Sequence, residues 1–227
     1  MTIPRILLLL GAAILSTTVC AQGMKYTPYT DRATNLTYNL LFCDDIALYK
    51  VSQQDPASGP WQVLFAKPAN IASLQTLADS SLVETRLRIL AFNALTRLNV
   101  QSKKKELLGV IVEVGLEHGL DTLAVYQDQR VRYINQSGKL LVREVSTPGI
   151  SAKIRKLFQE AQPIIEKIGP WRKPRLPPPA AGQMRLTFLA NDGLYFGEGT
   201  MHDLSRSPLA GPVVTAATEL LFALTHQ

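Results

Sequence analysis

Few side chains in this sequence have the chemistry and spacing of a catalytic or metal site. The histidines are His118, His202 and His226, and neither HExxH nor CxxC occurs. Dedicated zinc sites place several His or Cys side chains at short, fixed spacings. His118 and His202 stand in polar segments typical of turns, so we interpret them as solvated residues. We therefore expect no metal site, and an enzyme that uses His118 or His202 with nearby carboxylates is a minor alternative.

Cys43 is the other side chain with reactive chemistry. It follows Leu40-Leu41-Phe42 and precedes Asp44 and Asp45. Apolar burial and adjacent negative charge both raise the pKa of a thiol, which makes it a poor nucleophile. We interpret Cys43 as a core residue. Signatures for nucleotide or acyl chemistry (GxSxG, Walker-type and GxGxxG) are also absent, so we expect neither a cofactor nor catalytic residues.

Positive charge is concentrated in one window of the chain. The formal net charge is +6, and seven basic residues but two acids lie between Lys153 and Arg175. A localised basic surface attracts an acidic protein or surface, although a solvated helix face plus a linker is the simpler alternative. Aromatic residues do not alternate with these cations as in single-strand nucleic-acid sites, so nucleic acid is not expected. The candidate partner-binding residues are Lys153, Lys156, Trp171, Arg172, Lys173 and Arg175.

The elements that must position these residues follow from hydrophobic patterning. In the first half, two strands are predicted over 39–50 and 61–66, on either side of QQDPASGP. A helical stretch follows over 71–98, with Asn70 as the first cap and Ser81 with Glu84 as a capping box for a second helix. The apolar run 107–116 predicts a buried strand, and 123–126 with 131–135 predicts a hairpin, with a further strand over 139–145.

The second half begins with the clearest helix, over 151–168, whose apolar residues keep the helical period despite Pro163. The segment GPWRKPRLPPPAAG contains five prolines and predicts an extended, semi-rigid linker. A hairpin over 184–190 and 194–199 turns at Asp192-Gly193. A last helix is predicted over 209–225, after Ser207 and Pro208.

This order of elements predicts an α+β fold, with a mainly antiparallel sheet and helices packed on at least one face. We expect a main domain over 22–168, a Pro-rich basic linker over 169–183, and a C-terminal ββα unit over 184–227. That unit is too small to be stable alone, so it should pack on the main domain or extend its sheet. By element order, the first part resembles profilin-like and roadblock-like domains. The resemblance implies a dimeric adaptor, and so a homodimer.

The first residues of the chain predict where the protein is located. Residues 1–21 combine one basic residue, an apolar stretch and a small-residue cleavage site, which is typical of a signal peptide. Cleavage would leave Cys43 as the single cysteine, and so a fold without an internal disulfide. With 46% hydrophobic and 19% charged residues, the remainder has a globular composition. We expect a periplasmic or secreted, non-enzymatic binding module; a start at Met24, giving a cytoplasmic adaptor, is the alternative.

Overall fold

A computed structural model describes residues 25–52, 58–102 and 104–226. In this part of the chain, eight helices surround one six-stranded antiparallel sheet, which confirms the predicted α+β class. The helices are α1 (Arg32–Leu40), α2 (Ile46–Ser52), α3 (Gly59–Phe65), α4 (Ile71–Asp79), α5 (Thr85–Arg97), α6 (Pro148–Lys167), α7 (Met201–Arg206) and α8 (Gly211–Thr225). The strands are β1 (Leu107–Leu116), β2 (Gly119–Tyr126), β3 (Val131–Ile134), β4 (Leu140–Arg143), β5 (Gln183–Ala190) and β6 (Gly193–Thr200).

Strand β1 lies inside the sheet, whose order is β4-β3-β2-β1-β5-β6. It pairs with β2 on one side and with β5 on the other. A strand covered on both faces needs apolar residues at nearly every position, as β1 has. Because β5 pairs with β1 from Val114↔Met184 to Leu107↔Ala190, the residues after the proline-rich segment extend the same sheet.

The sheet carries helices on both faces. Strand side chains on one face of the sheet, such as Val110 and Leu186, pack with α6 and α8. Strand side chains on the other face, such as Ile111 and Leu189, pack with helices α1 to α5. The hydrophobic core therefore consists of two layers separated by the sheet, and the molecule has three layers.

The two strands predicted over 39–50 and 61–66 are wrong, because these segments contain the end of α1, most of α2 and most of α3, and no strand. Asp31 caps α1 by accepting the Thr34 N–H at 2.7 Å. Tyr38, Leu41 and Phe42 then lie at helical spacing and are buried against the sheet. Packing of this apolar face outweighs the strand preference of the individual aromatic and branched residues.

The start of α5 also differs from the prediction. The helix begins at Thr85 without a side-chain cap from its own N-cap residue, so the predicted Ser81–Glu84 capping box is wrong. Its cap comes from the β2–β3 turn, where the Asp128 carboxylate accepts the Thr85 N–H at 2.8 Å. The Asn70 cap of α4 is confirmed, since its side-chain oxygen accepts the Ser73 N–H at 3.0 Å.

Within 25–52, 58–102 and 104–226, no helix combines the length and the apolar character needed to cross a bilayer. The predicted signal peptide over 1–21 lies outside the described residues and stays a prediction.

Candidate functional site

The proline-rich segment 169–182, which we call the strap, lies directly against the sheet. The backbone N–H of Trp171 donates to the Leu194 carbonyl at 2.7 Å, and this bond attaches the N-terminal end of the strap to β6. At the other end, the Gly182 N–H donates to the Gly115 carbonyl at 2.9 Å. A Cβ atom on Gly115 would lie 2.1 Å from the Ala180 carbonyl oxygen, so β1 needs glycine where the strap crosses it.

Arg175 holds the middle of the strap to α1 and to the residues that follow it. Its Nε donates to the Asp44 carboxylate at 3.0 Å, and its other nitrogens donate to Asn39 Oδ1 at 3.2 Å and to the Tyr38 hydroxyl at 3.4 Å. The guanidinium also lies 3.7 Å from the Phe42 ring centroid, within cation–π range. With 6% of its surface exposed, Arg175 contacts the protein's own interior and is not free to contact a partner.

The outer side of the strap forms one wall of a depression of about 430 Å³, which we call the basic groove. Arg97, at the end of α5, and Lys25, before α1, lie on its other sides. Among the described residues, five cations and one carboxylate, Asp44, line this groove. The cations are Lys25, Arg97, Arg172, Lys173 and the buried Arg175.

Three of the groove's cations have no acidic partner among the residues that the structure describes. Arg97 donates to the Asp44 backbone carbonyl at 3.5 Å, and Arg172 donates to the Asp192 carbonyl at 3.2 Å. The Lys173 ammonium lies 5.6 Å from the Trp171 ring centroid. The one carboxylate among the described residues of the groove's lining, Asp44, already faces Arg175 and, at 3.7 Å, Lys25. The groove is therefore electropositive.

The structure divides the six predicted partner-binding residues into separate locations. Trp171, Arg172 and Lys173 line the basic groove. Lys153 and Lys156 lie on α6, where their ammonium groups are 3.9 and 3.1 Å from the Glu219 carboxylate on α8. Since α6 and α8 cover the opposite face of the sheet from α1 and α5, these two lysines and the groove do not form one surface.

Sequence reasoning missed Lys25, Arg97 and Asp44. Lys25 and Arg97 are single cations with no local charge pattern around them, and they lie far from the strap in sequence. Asp44 directly follows Cys43, and its position in the sequence indicates only an effect on that thiol. Nothing local signals these three positions, because the fold alone brings them next to the strap.

Cys43 follows α1, His118 lies in the β1–β2 turn, and His202 lies on α7. Burial raises the pKa of the Cys43 thiol to about 12, although a hydrogen bond with Tyr49 partly opposes the shift. His118 and His202 are exposed, and neither lines the basic groove. In the described parts of the chain, no three His, Cys, Asp or Glu side chains are grouped closely enough to hold a metal ion.

A larger cleft of about 1080 Å³ opens between α6 and the loops at one end of the sheet. Among the described residues, three cations and three carboxylates line it: Lys104, Lys105, Arg155, Asp79, Glu106 and Glu166. Some of these charges are already satisfied, as Glu106 pairs with Arg88 at 3.1 Å and Lys105 donates to the Ile165 carbonyl at 2.7 Å. The cleft is larger than the basic groove, but the charges of its described lining residues are balanced and so favour neither an anionic nor a cationic ligand.

Beneath the strap, a row of polar side chains crosses the sheet. Thr122, Glu113, Arg185 and Glu198 are successive cross-strand partners on β2, β1, β5 and β6. Arg185 donates to the Pro177 carbonyl at 2.7 Å and to Glu198 at 2.6 Å. This row gives the strap's carbonyls a buried donor, and so supports the strap from below.

Comparison with known proteins gives no family for this chain, since it matches no protein-family model and no curated protein sequence.

Proposed function

We propose that this protein is a non-enzymatic binding protein whose basic groove holds an acidic segment of a partner protein. The observation that carries the proposal is the set of three groove cations, Arg97, Arg172 and Lys173, without an acidic partner among the described residues. Unpaired cations grouped on one surface attract the opposite charge and favour partners that supply carboxylates.

The chemistry of the groove suits carboxylates. A guanidinium presents several N–H donors in one plane, which match the two oxygens of a carboxylate. Arg172 and Arg97 come from the strap and from α5, so an acidic segment that spans the groove could meet both. If the protein is exported, as residues 1–21 predict, the partner would be a periplasmic or secreted protein.

The test is charge reversal of the groove's strap residues in the double variant Arg172→Glu/Lys173→Glu. We expect its affinity for a fluorescein-labelled oligoglutamate peptide to fall by about tenfold or more, because like charges would then face each other. Binding to the wild-type protein should also weaken steeply as sodium chloride is added, since the Debye length is about 10 Å at 0.1 M salt. Fluorescence anisotropy measures both effects.

The matched control is Lys153→Glu/Lys156→Glu, which changes the net charge by the same amount on the opposite face of the sheet. It should bind the peptide with nearly the wild-type affinity. Equal losses in the two double variants would show that net charge rather than the groove governs binding, and would refute the proposal. Tighter binding of a single-stranded oligonucleotide than of the peptide would also refute it.

A further inference from the structure

We infer that Arg175 and Asp44 form the positioning pair of the basic groove. This pair determines partner binding by holding the strap in place, without touching the partner. This inference rests on the proposed function for its binding readout. It has a second readout, the accessibility of Trp171, that is independent of any partner.

The strap carries the groove residues but has little structure of its own. Between 169 and 182 it contains no helix and a single β-bridge, Trp171↔Leu194. Trp171 also donates through its indole nitrogen to the Pro174 carbonyl at 3.0 Å and packs edge-to-face on Phe196. The positions of Arg172 and Lys173 therefore depend on the attachments on either side of them.

Arg175 supplies the attachment on the C-terminal side of these two residues. Its side chain is 3% exposed and reaches Asp44, Asn39, Tyr38 and Phe42 through hydrogen bonds and a cation–π contact. The Tyr26 hydroxyl donates to the Arg175 carbonyl, so backbone and side chain are both held. Truncating this side chain leaves the Asp44 carboxylate without its closest cation and releases the middle of the strap.

A preformed groove binds more tightly than one that must be ordered on binding. When only a fraction of molecules has the strap in place, the apparent affinity falls by that fraction. Loosening the strap should therefore weaken binding even when the groove's charge becomes more favourable.

The substitution Asp44→Asn distinguishes the effect of strap position on binding from the effect of the groove's charge. The substitution removes the groove's carboxylate, so a purely electrostatic groove would bind an acidic peptide more tightly. It also replaces the charge-assisted hydrogen bond and ion pair with Arg175 by, at most, a weaker bond to a neutral amide oxygen, so a groove that depends on strap position would bind more weakly.

The experiment uses the full chain with Trp61→Phe as the reference protein. Trp61 and Trp171 are the two tryptophans, so Trp171 is then the only indole reporter. Into this background we place Arg175→Met and Asp44→Asn. The control is Arg88→Met, which truncates another buried arginine that pairs with Glu106 rather than with the strap.

Both test variants should show stronger acrylamide quenching of Trp171 and an affinity for oligoglutamate reduced by about fivefold or more. Arg88→Met should change neither quantity, although it should lower the melting temperature.

Unchanged quenching in Asp44→Asn, or tighter peptide binding by it, overturns the inference. If Arg175→Met does not fold, Asp44→Asn alone decides. If the reference protein does not bind the peptide, the proposed function fails, and the quenching comparison still decides whether the pair positions the strap.

Discussion

Glu113 places a carboxyl group inside the sheet. It is fully buried on the central strand, where its Oε1 accepts the Tyr38 hydroxyl at 2.6 Å. Its Oε2 forms no hydrogen bond with the described residues, and the nearest Arg185 nitrogen is 3.8 Å away. Burial raises the pKa of this carboxyl above its usual 4.5, while the Tyr38 hydrogen bond and the Arg185 charge oppose the shift. The folded protein thus disfavours the charged form.

This shift predicts how Glu113 affects stability across pH. The unfolded chain releases the proton near 4.5, and the folded protein releases it at higher pH. The contribution of Glu113 to stability is therefore complete below pH 4.5 and is lost as the pH rises through the folded pKa. The free energy of unfolding of wild type minus that of Glu113→Gln should therefore fall as the pH is raised above about 4.5, which urea titrations at a series of pH values would measure.

Glu117→Gln is the control for the loss of a carboxylate from the surface, since Glu117 lies in the exposed β1–β2 turn. A wild-type advantage over Glu113→Gln that grows with pH would show that the ion pair with Arg185 outweighs burial.

At the scale of elements, the strap acts as a structural part of the sheet rather than as a free linker. It is bonded to β6 through Trp171, to β1 through Gly182, and to β5 through Arg185. Gly115 is the point of closest approach, because the strap's backbone occupies the space where a side chain would lie.

Gly115→Ala should therefore destabilise the protein by about 1–3 kcal/mol, as overpacking against backbone that cannot move does. Gly197→Ala is the matched control, since a Cβ atom on this β6 glycine meets nothing within 4 Å. It should change stability by less than about 1 kcal/mol. Urea unfolding of both variants gives the comparison, and equal effects would mean that the strap does not lie on β1 in solution.

The sequence predicted the elements whose signal is local and long. The apolar run of β1 and the period of α6 each extend over ten residues or more, and both are found where expected. The strand predicted over 39–50 was wrong because the aromatic residues there favour strands locally. Burial of Tyr38, Leu41 and Phe42 against the sheet instead favours helix α1 and the turn that ends it. The start of α5 depends on Asp128, which lies 43 residues further along the chain.

The same limit applies to the candidate site. Trp171, Arg172 and Lys173 could be predicted because the basic strap is visible in one short segment. Lys25, Arg97 and Asp44 reach it only through the fold, and Arg175 is buried by contacts with α1 that no local pattern indicates.

At the scale of the whole molecule, the sheet separates the basic groove from the side that α6 and α8 cover. On the α6–α8 side, Lys153 and Lys156 pair with Glu219, while the α1–α5 side carries the groove, three of whose cations have no acidic partner among the described residues. The C-terminal hairpin is needed for this arrangement, because β5 joins the sheet at β1 and Leu194 on β6 anchors Trp171. The groove therefore forms only when the N-terminal part of the described chain and the C-terminal hairpin are both folded against the sheet.

The most direct test of the binding proposal is an NMR titration of the ¹⁵N-labelled full chain with oligoglutamate peptide. We predict that the amide signals of Arg97, Arg172 and Lys173 and the Trp171 indole signal shift together and saturate. Signals from α6 and α8 should stay unchanged. No saturable shift at the groove, or shifts centred on Lys153 and Lys156, would contradict the account.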